Sequence, residues 1–447
     1  MFDTYSQVVS GGVKKSLAGK VSETAVLVGV YLSNKGGGDA TLDELYNLAA
    51  AANICVVDRV IQVRAKPESA TYIGSGKLSE LKGIVESGGA DLVIFDNDLA
   101  PSQTKNLEDE LKVKVIDRTE LILDIFASRA RTSEAKLAVE LAQLEYSLPR
   151  LKKMWTHLER QGVGGVGLRG PGEKQLEVDR RLAQKRINIL RDELDEIHRR
   201  RKREVLGRSD RCTVSLVGYT NAGKSTLMNV LTDSDVFVKD MLFATLDTRT
   251  RRWNLSGWGP VLLSDTVGFV RDLPHHLVAS FRATLEETLS ADLLLHVADA
   301  SSVRLREEVD AVYCVLEDLG IREKDMLLVL NKVDVPEVGE RLYNLSQDYP
   351  NAIQVSAKSG FGLDRLSAAV SDALSKEFIE LTVEMSVGNG RMLALLAKDG
   401  EVLSKRFTDE VVCVSCRVPK SVFGKLQREP DIKITCNQNY DTEPEKW

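Results

Sequence analysis

Long apolar runs are missing from this chain: nothing in it approaches the roughly 20 consecutive apolar residues a membrane-spanning helix needs. The first twenty residues, MFDTYSQVVSGGVKKSLAGK, have no apolar core of signal-peptide length. They hold an aspartate and no arginine, which disfavours a transit peptide. The default location is the cytoplasm, with partial membrane association left open. Cysteine is scarce and scattered, at Cys55, Cys212, Cys314, Cys413, Cys416 and Cys436. Cys413 and Cys416 form a CxxC, but within Val411-Val412-Cys413-Val414-Ser415-Cys416, which reads as a strand. Residues three apart on a strand point to opposite faces. No second CxxC and no paired histidines complete a zinc site, so buried free thiols are expected rather than metal. An excess of positive charge is also lacking. Sixty Lys and Arg face 66 Asp and Glu, a net of -6, so any RNA contact must come from a local basic surface.

What is present is a soluble globular profile, 43% hydrophobic and 28% charged, and 447 residues suggest about three domains at roughly 150 each. Residues 1–23 are polar, glycine-containing and aperiodic, and read as a flexible tail. Strands follow at Ala25–Tyr31, Ile54–Val57, Asp91–Asp96 and Val113–Asp117. A helix over Leu42–Ala49 and another from Pro101 lie between them. Alternating strands and helices argue for a parallel α/β sheet over 24–128. Gly74-Ser75-Gly76-Lys77 imitates a phosphate loop, but Leu78 stands where a magnesium-binding hydroxyl belongs. A helix-starting turn is the preferred reading there, with a secondary nucleotide site as the alternative.

Residues 129–207 read as helical. Apolar residues fall at Leu137, Leu141, Leu144, Leu148, Leu151, Trp155 and Leu158, then at Leu176, Ala183, Ile187, Leu190, Leu194 and Ile197. Gaps of four and three make a coiled-coil seam, and a short connection predicts an antiparallel hairpin. Pro149 predicts a kink or break. The connection holds QGVGGVGLRGPG at 161–172, six glycines in twelve residues, with Arg160, Arg169 and Lys174 around it. Glycine this dense costs chain entropy, so close backbone approach to RNA phosphate at Gly164 and Gly165 is favoured over a plain connector. From Arg180 to Arg203 ten Lys or Arg face four Asp or Glu, ending in the unbroken run Arg199-Arg200-Arg201-Lys202-Arg203. A solvated face is the usual reading of such a run. On the same element as a glycine tip, in an acidic protein, a phosphate-backbone contact is favoured.

The chemistry lies in 208–378. Gly218-Tyr219-Thr220-Asn221-Ala222-Gly223-Lys224-Ser225 fits Gly, four residues, Gly-Lys-Ser, between the apolar strand Cys212–Val217 and a helix starting at Thr226. Its glycines let backbone amides surround a polyanion, and the helix N-terminus adds a positive dipole end. Lys224 can reach the outer phosphates, and Ser225 can place its hydroxyl on magnesium. Asp265-Thr266-Val267-Gly268 ends the strand Pro260–Ser264. Asp265 can hold magnesium through water, and Gly268 can offer its amide to a terminal phosphate. Asn331-Lys332-Val333-Asp334 follows Met326–Leu330, and Asp334 can accept from both N1–H and the 2-amino group of guanine. Adenine has neither donor. Lys332 can pack along the base, with Ser356-Ala357-Lys358 on the other side. Between the first two motifs lies Phe243-Ala244-Thr245-Leu246-Asp247-Thr248. A threonine there can close over Mg2+ and the γ-phosphate, Thr245 first and Thr248 second. Lys224, Thr245, Asp265 and Gly268 form the expected catalytic set, on a Ras-like P-loop GTPase domain. Phe269 stands where Ras-type enzymes place a water-orienting glutamine. Slow intrinsic turnover follows, with Arg249, Arg251 and Arg252 near the switch as candidate helpers or as solvated strand-edge residues.

Residues 379–447 read as a small α+β module without a chemical motif. Strands are expected at 380–387, 392–397, 411–417 and 431–435, with a helix opened by Pro419.

His157-Leu158-Glu159-Arg160-Gln161-Gly162, the tip Gly170-Pro171-Gly172-Glu173-Lys174-Gln175-Leu176-Glu177-Val178-Asp179-Arg180-Arg181, and FATLD followed by DTVGF together resemble the HflX GTPases. Tyr72-Ile73-Gly74-Ser75-Gly76-Lys77 resembles a signature of the same family's N-terminal domain. The resemblance covers about 24–378. It implies a cytoplasmic GTPase that binds the large (50S) ribosomal subunit and, as some members do, splits or rescues stalled or inactive ribosomes under stress; a monomer is expected. It also implies that the N-terminal domain and glycine tip enter rRNA, and that the ribosome stimulates hydrolysis. ATP use is attributed to some members, and Asp334 argues for guanine here. The competing readings are a GTP-dependent protein-binding switch without a ribosomal target, and a scaffold that holds nucleotide and barely turns it over. The basic hairpin disfavours the former. Intact Lys224, Ser225 and Asp265 disfavour the latter.

Overall fold

The computed structural model describes residues 23–32, 42–154, 171–206, 212–232, 243, 248–255, 258–271, 291–318, 320–321, 326–339, 341–408, 410–419, 422–423, 426–427, 429 and 432–436. The chain forms two compact units, one of 1–194 with 241–244 and 273–281, the other of 195–240, 245–272 and 282–447.

The first unit holds a parallel sheet of β1 (Thr24–Leu32), β2 (Cys55–Arg64), β3 (Leu92–Phe95) and β4 (Lys114–Asp117), in the order β2-β1-β3-β4. Its helices are α1 (Asp43–Ala51), α2 (Ser75–Gly88), α3 (Pro101–Leu111) and α4 (Arg118–Arg129). β3 is buried at every position, as a central parallel strand covered on both faces should be. The phosphate-loop imitation at Gly74 to Lys77 is the helix start expected of it: α2 begins at Ser75, and the Gly74 amide donates to the Gln62 side chain at 3.0 Å. Two long helices follow, α5 (Ser133–Met154) and α6 (Pro171–Leu206). α5 runs through Pro149 without ending. It is held at that end by Arg150, which bonds Asp117 at 2.9 Å and the Leu99 carbonyl at 3.0 Å, and by the Tyr146 hydroxyl on Asp117 at 2.7 Å. Ala135, Ala138, Ala142 and Tyr146 are buried on α5 as well as the seam residues Leu141 and Leu144, so two of its faces are covered. Arg186 and Arg191 of α6 pair with Glu140 and Glu145 of α5, the first pair bidentate at 2.7 and 2.9 Å. The expected turn between the helices lies outside the described residues.

The second unit carries a six-stranded sheet of β5 (Thr213–Val217), β6 (Arg249–Leu255), β7 (Gly259–Asp265), β8 (Leu293–Asp299), β9 (Met326–Asn331) and β10 (Ile353–Gln354). The order is β10-β9-β8-β5-β7-β6, parallel except for β6, which runs antiparallel at the edge. Helices α7 (Lys224–Leu231), α8 (Leu305–Asp318), α9 (Pro336–Gly339), α10 (Leu342–Asp348) and α11 (Leu363–Glu377) accompany this sheet. β11 (Phe378–Ser386) follows α11 directly and joins β12 (Glu401–Phe407), β13 (Val411–Pro419) and β14 (Ile432–Cys436) in an antiparallel sheet ordered β12-β13-β11-β14. Residues 392–397 are not the expected strand. They belong to α12 (Gly390–Asp399), capped by the Asn389 side chain on the Met392 amide at 3.2 Å. A short run of Met, Leu and Ala fits either periodicity, and good helix formers after a cap decide for the helix. The strand of that region is β12 instead. Pro419 is the last residue of β13, and the helix expected after it appears at 422–423 and 426. Cys416 is buried, its thiol pushed up to about 12 by burial, while Cys413 is half-buried. No metal-binding group of three His, Cys, Asp or Glu occurs among the described residues.

Candidate functional site

β5 lies in the middle of its sheet, between β7 and β8, and delivers the chain to Gly218 at the carboxyl edge. Gly218 has φ +150°, and a Cβ there would run into the Val297 carbonyl of β8. Only glycine fits, so strand packing as well as ligand access fixes this residue. Gly223 caps α7 in the left-handed region. Lys224 opens α7 and is buried, with Nζ donating to the Gly218 and Tyr219 carbonyls at 2.9 Å each. Burial pushes its pKa down to about 8, against the upward pull of Asp265. The ammonium is thus held over the loop's own carbonyls, poised for a polyanion.

Ser225 Oγ donates to Asp265 Oδ2 at 2.6 Å. The two residues expected to serve one metal ion, from α7 and the end of β7, therefore meet. A hydroxyl and a carboxylate at this distance form the all-oxygen donor set that Mg2+ takes. Thr266 anchors the next position by donating to the Leu216 carbonyl at 2.6 Å. A Cβ on Gly268 would lie 2.7 Å from the Thr220 methyl and 3.1 Å from Lys224 Nζ. The turn after β7 therefore rests on the phosphate loop. Phe269 locks it there: its amide donates to the Gly218 carbonyl at 3.1 Å, and its carbonyl accepts from the Thr220 amide at 2.7 Å. Its side chain is buried, 3% exposed, so it can orient nothing in solvent.

The base-side residues assemble as well. Asn331 ends β9 and braces the site: Nδ2 donates to the Ala222 carbonyl at 2.9 Å, and Oδ1 accepts from the Ala357 amide at 3.0 Å. Val333 donates its amide to the Val355 carbonyl at 3.4 Å. Ser356 Oγ donates to Asp334 Oδ1 at 2.7 Å, while Lys358 is exposed. Lys332 pairs with Asp299 at 2.7 Å. Asp299 was missed by sequence reasoning. Its place at the end of an apolar strand, as with Asp265, was the available signal. His296 of β8 was missed too. It is buried, its Nδ1 without a partner among the described residues, and burial with the nearby Lys224 charge pushes its pKa down to about 4.

The switch segment is only partly described. Ala244, Thr245, Leu246 and Asp247 lie outside the described residues. Phe243 belongs to the first unit, where its ring packs edge-on to Phe126 at 4.6 Å, so its side chain is a packing group. Thr248 directly precedes β6, its hydroxyl buried with no partner among the described residues. Of the residues expected to meet RNA, Arg199 and Arg200 are exposed on α6. Arg160, Gly164, Gly165 and Arg169, and the side chains of Lys174, Arg201, Lys202 and Arg203, lie outside the described residues.

A glycine loop with a buried lysine, a serine–aspartate pair at its mouth, and an Asn-Lys-x-Asp strand end braced to that loop define a P-loop GTPase. Three family matches cover the chain in series: "GTP-binding GTPase N-terminal" over 39–127, "GTP-binding GTPase Middle Region" over 129–208, and "50S ribosome-binding GTPase" over 213–332. The GTPase HflX of Lacrimispora saccharolytica is 41% identical over 414 residues, 92% of this chain and 97% of that protein. The GTPase HflX of Escherichia coli K12 is 44% identical over 399 residues, 89% and 93% of the two chains. Among solved structures, the SsGBP–GDP complex aligns with a TM-score of 0.44 at 27% identity, covering 79% of this chain and 99% of that one. The chain belongs to the HflX family of GTPases and hydrolyses GTP. No described helix is long and apolar enough to cross a membrane.

Proposed function

We propose that this GTPase acts on the large ribosomal subunit, and that its cycle separates or rescues stalled or inactive ribosomes. The observation that carries the reading is electrostatic: Arg199 and Arg200 stand exposed within the basic run of α6, in a chain of net charge -6. A local basic surface on an acidic protein is the footprint of a phosphate-backbone contact. The match of 213–332 to a family described as 50S ribosome-binding supports the same partner. The segments 24–128 and 129–207 supply the ribosome-facing part in this reading, 208–378 the nucleotide domain and 379–447 a C-terminal module. The protein works as a cytoplasmic monomer.

In the nucleotide site, Lys224 neutralises the outer phosphates and Asp334 selects guanine. Ser225 and Thr245 would hold Mg2+, with Asp265 contributing through water. The ion, when bound, neutralises charge on the β- and γ-phosphates. Gly268 lends its amide to the γ-phosphate. Sedimentation of lysate with a non-hydrolysable GTP analogue tests the reading. The protein should travel with the large subunit, and its absence from that fraction with GTP analogue and with GDP alike would remove the ribosomal target.

A further inference from the structure

One grip in the second unit lies outside the nucleotide motifs. β6 and β7 form a hairpin whose ladder runs through seven pairs, from Arg249↔Asp265 to Leu255↔Gly259. At one end it carries the chemistry: Thr248 enters β6, and Asp265 leaves β7 bonded to Ser225. At the other end, about 20 Å away at 3.3 Å per residue, Trp258 is buried between the nucleotide domain and the C-terminal sheet. Its ring meets Phe378, the first residue of β11, edge-on at 6.0 Å. The Arg417 guanidinium, from β13, lies over the indole at 4.3 Å, and its Nη1 donates to the Trp258 carbonyl. Glu380 of β11 fixes the other side of that guanidinium, Nε to Oε2 at 3.2 Å. Trp258 and Arg417 are both buried.

We propose that Arg417 is a positioning residue for GTP hydrolysis, and that holding the β6–β7 hairpin from its far end is a task of the C-terminal domain. β5 pins this ribbon along Leu262–Asp265 alone, so its tip at Gly259 is held by side-chain packing and by this grip, and a twist introduced there is carried along the ladder toward Thr248 and Asp265. Gripping the tip through a backbone carbonyl, a ring face and a carboxylate fixes both its position and its rotation. Arg417 touches no nucleotide, so the grip bears on geometry during hydrolysis. GTP binding rests on Lys224, Asn331 and Asp334, which lie on α7 and β9 and in the turn after β9.

The test uses the full chain with nucleotide-binding stoichiometry measured by a fluorescent GDP, so that turnover is counted per competent site. Arg417→Ala should lower kcat by about tenfold to a hundredfold, the scale of a misplacement of about 1 Å, with KM for GTP within about twofold of wild type. Arg417→Lys keeps a charge over the ring and a donor for the carbonyl, and should recover most of the loss. If the alanine variant fails to fold, Glu380→Gln, which loosens the guanidinium without touching Trp258, should lower kcat in the same direction with KM unchanged. A purely architectural Arg417 gives a different pattern: fewer competent sites and a lower melting temperature, with wild-type kcat per site. That pattern overturns the proposal, as does wild-type kcat in Glu380→Gln where the alanine variant does not fold.

Discussion

Asp334 offers one carboxylate oxygen to Ser356 at 2.7 Å, and its other oxygen has no partner among the described residues. Ser356 thus sets the rotation of the carboxylate proposed to read the base. An amide in its place cannot accept from two guanine donors. Charge-assisted bonds contribute roughly 1.5–3 kcal/mol, so Asp334→Asn should weaken GTP binding by about 10- to 100-fold and favour xanthine nucleotides. Titration with labelled GTP and XTP checks this, and wild-type GTP affinity would refute the guanine assignment. Lys224 yields a pH prediction. Its pKa in the nucleotide-free protein is pushed down to about 8 by burial. Bound phosphates favour the charged form and raise that value. At pH values somewhat above 8 the free protein has lost much of this proton and the complex keeps it, so binding takes a proton up. At pH 6.5 both states hold it and this group contributes nothing. Calorimetry in buffers of different ionisation heat should show that uptake. Lys224→Arg, charged at both pH values, should lose it. The same depressed pKa affects stability with a known sign. The unfolded chain binds the proton more tightly between about 8 and the ordinary lysine value of 10.5, so this residue's destabilising effect is full below about 8 and fades as pH rises through that window.

The element that departs from the Ras pattern is the turn after β7. Phe269 is 3% exposed, and its backbone is zipped to Gly218 and Thr220. Phe269→Gln therefore should not create a water-positioning group. It should place an amide in an apolar pocket, lower the melting temperature at a cost of about 2–4 kcal/mol, and leave intrinsic turnover unchanged. A tenfold gain in single-turnover hydrolysis would show that the side chain swings out. The departure itself was legible in the sequence, because Phe269 follows a motif of fixed spacing. So were the parallel strands, whose apolar runs sit between turn signals, and the residues that meet at the phosphate loop. Asp299 was overlooked, because its task is an ion pair with Lys332, 33 positions on, and its place at the end of an apolar strand is a weak local mark. The stretch 392–397 was misread because six apolar residues carry no period of their own, and only the Asn389 cap tells helix from strand. Of the two outcomes expected at Pro149, the break does not occur: tertiary bonds from Tyr146 and Arg150 to Asp117 hold α5 where local propensity would end it.

For the whole molecule, the net charge of -6 and the basic run of α6 pull in opposite directions. Long-range repulsion from a polyanion must be overcome by a few close contacts, and those contacts release condensed counterions. Affinity for large subunits should therefore fall steeply as salt rises. Replacing Arg199, Arg200 and Arg201 by alanine should flatten the slope of log K against log salt, by up to about one unit for each phosphate no longer touched. GTP affinity should stay at its wild-type value, because Lys224, Asn331 and Asp334, the proposed nucleotide contacts, lie on other elements. The same subunits should raise turnover, since Phe269 supplies no water-orienting side chain at the position where Ras-type enzymes carry one, and partner-supplied groups in related GTPases contribute about 10³–10⁵ in rate. Pelleting and hydrolysis measured on one series of salt concentrations separate the two effects. A triple variant that binds with a flattened slope but is fully stimulated once saturated places the arginines in docking alone. One that pellets as the wild type does at every salt concentration leaves the basic run a solvated face, and the ribosomal contact must then be sought on another surface.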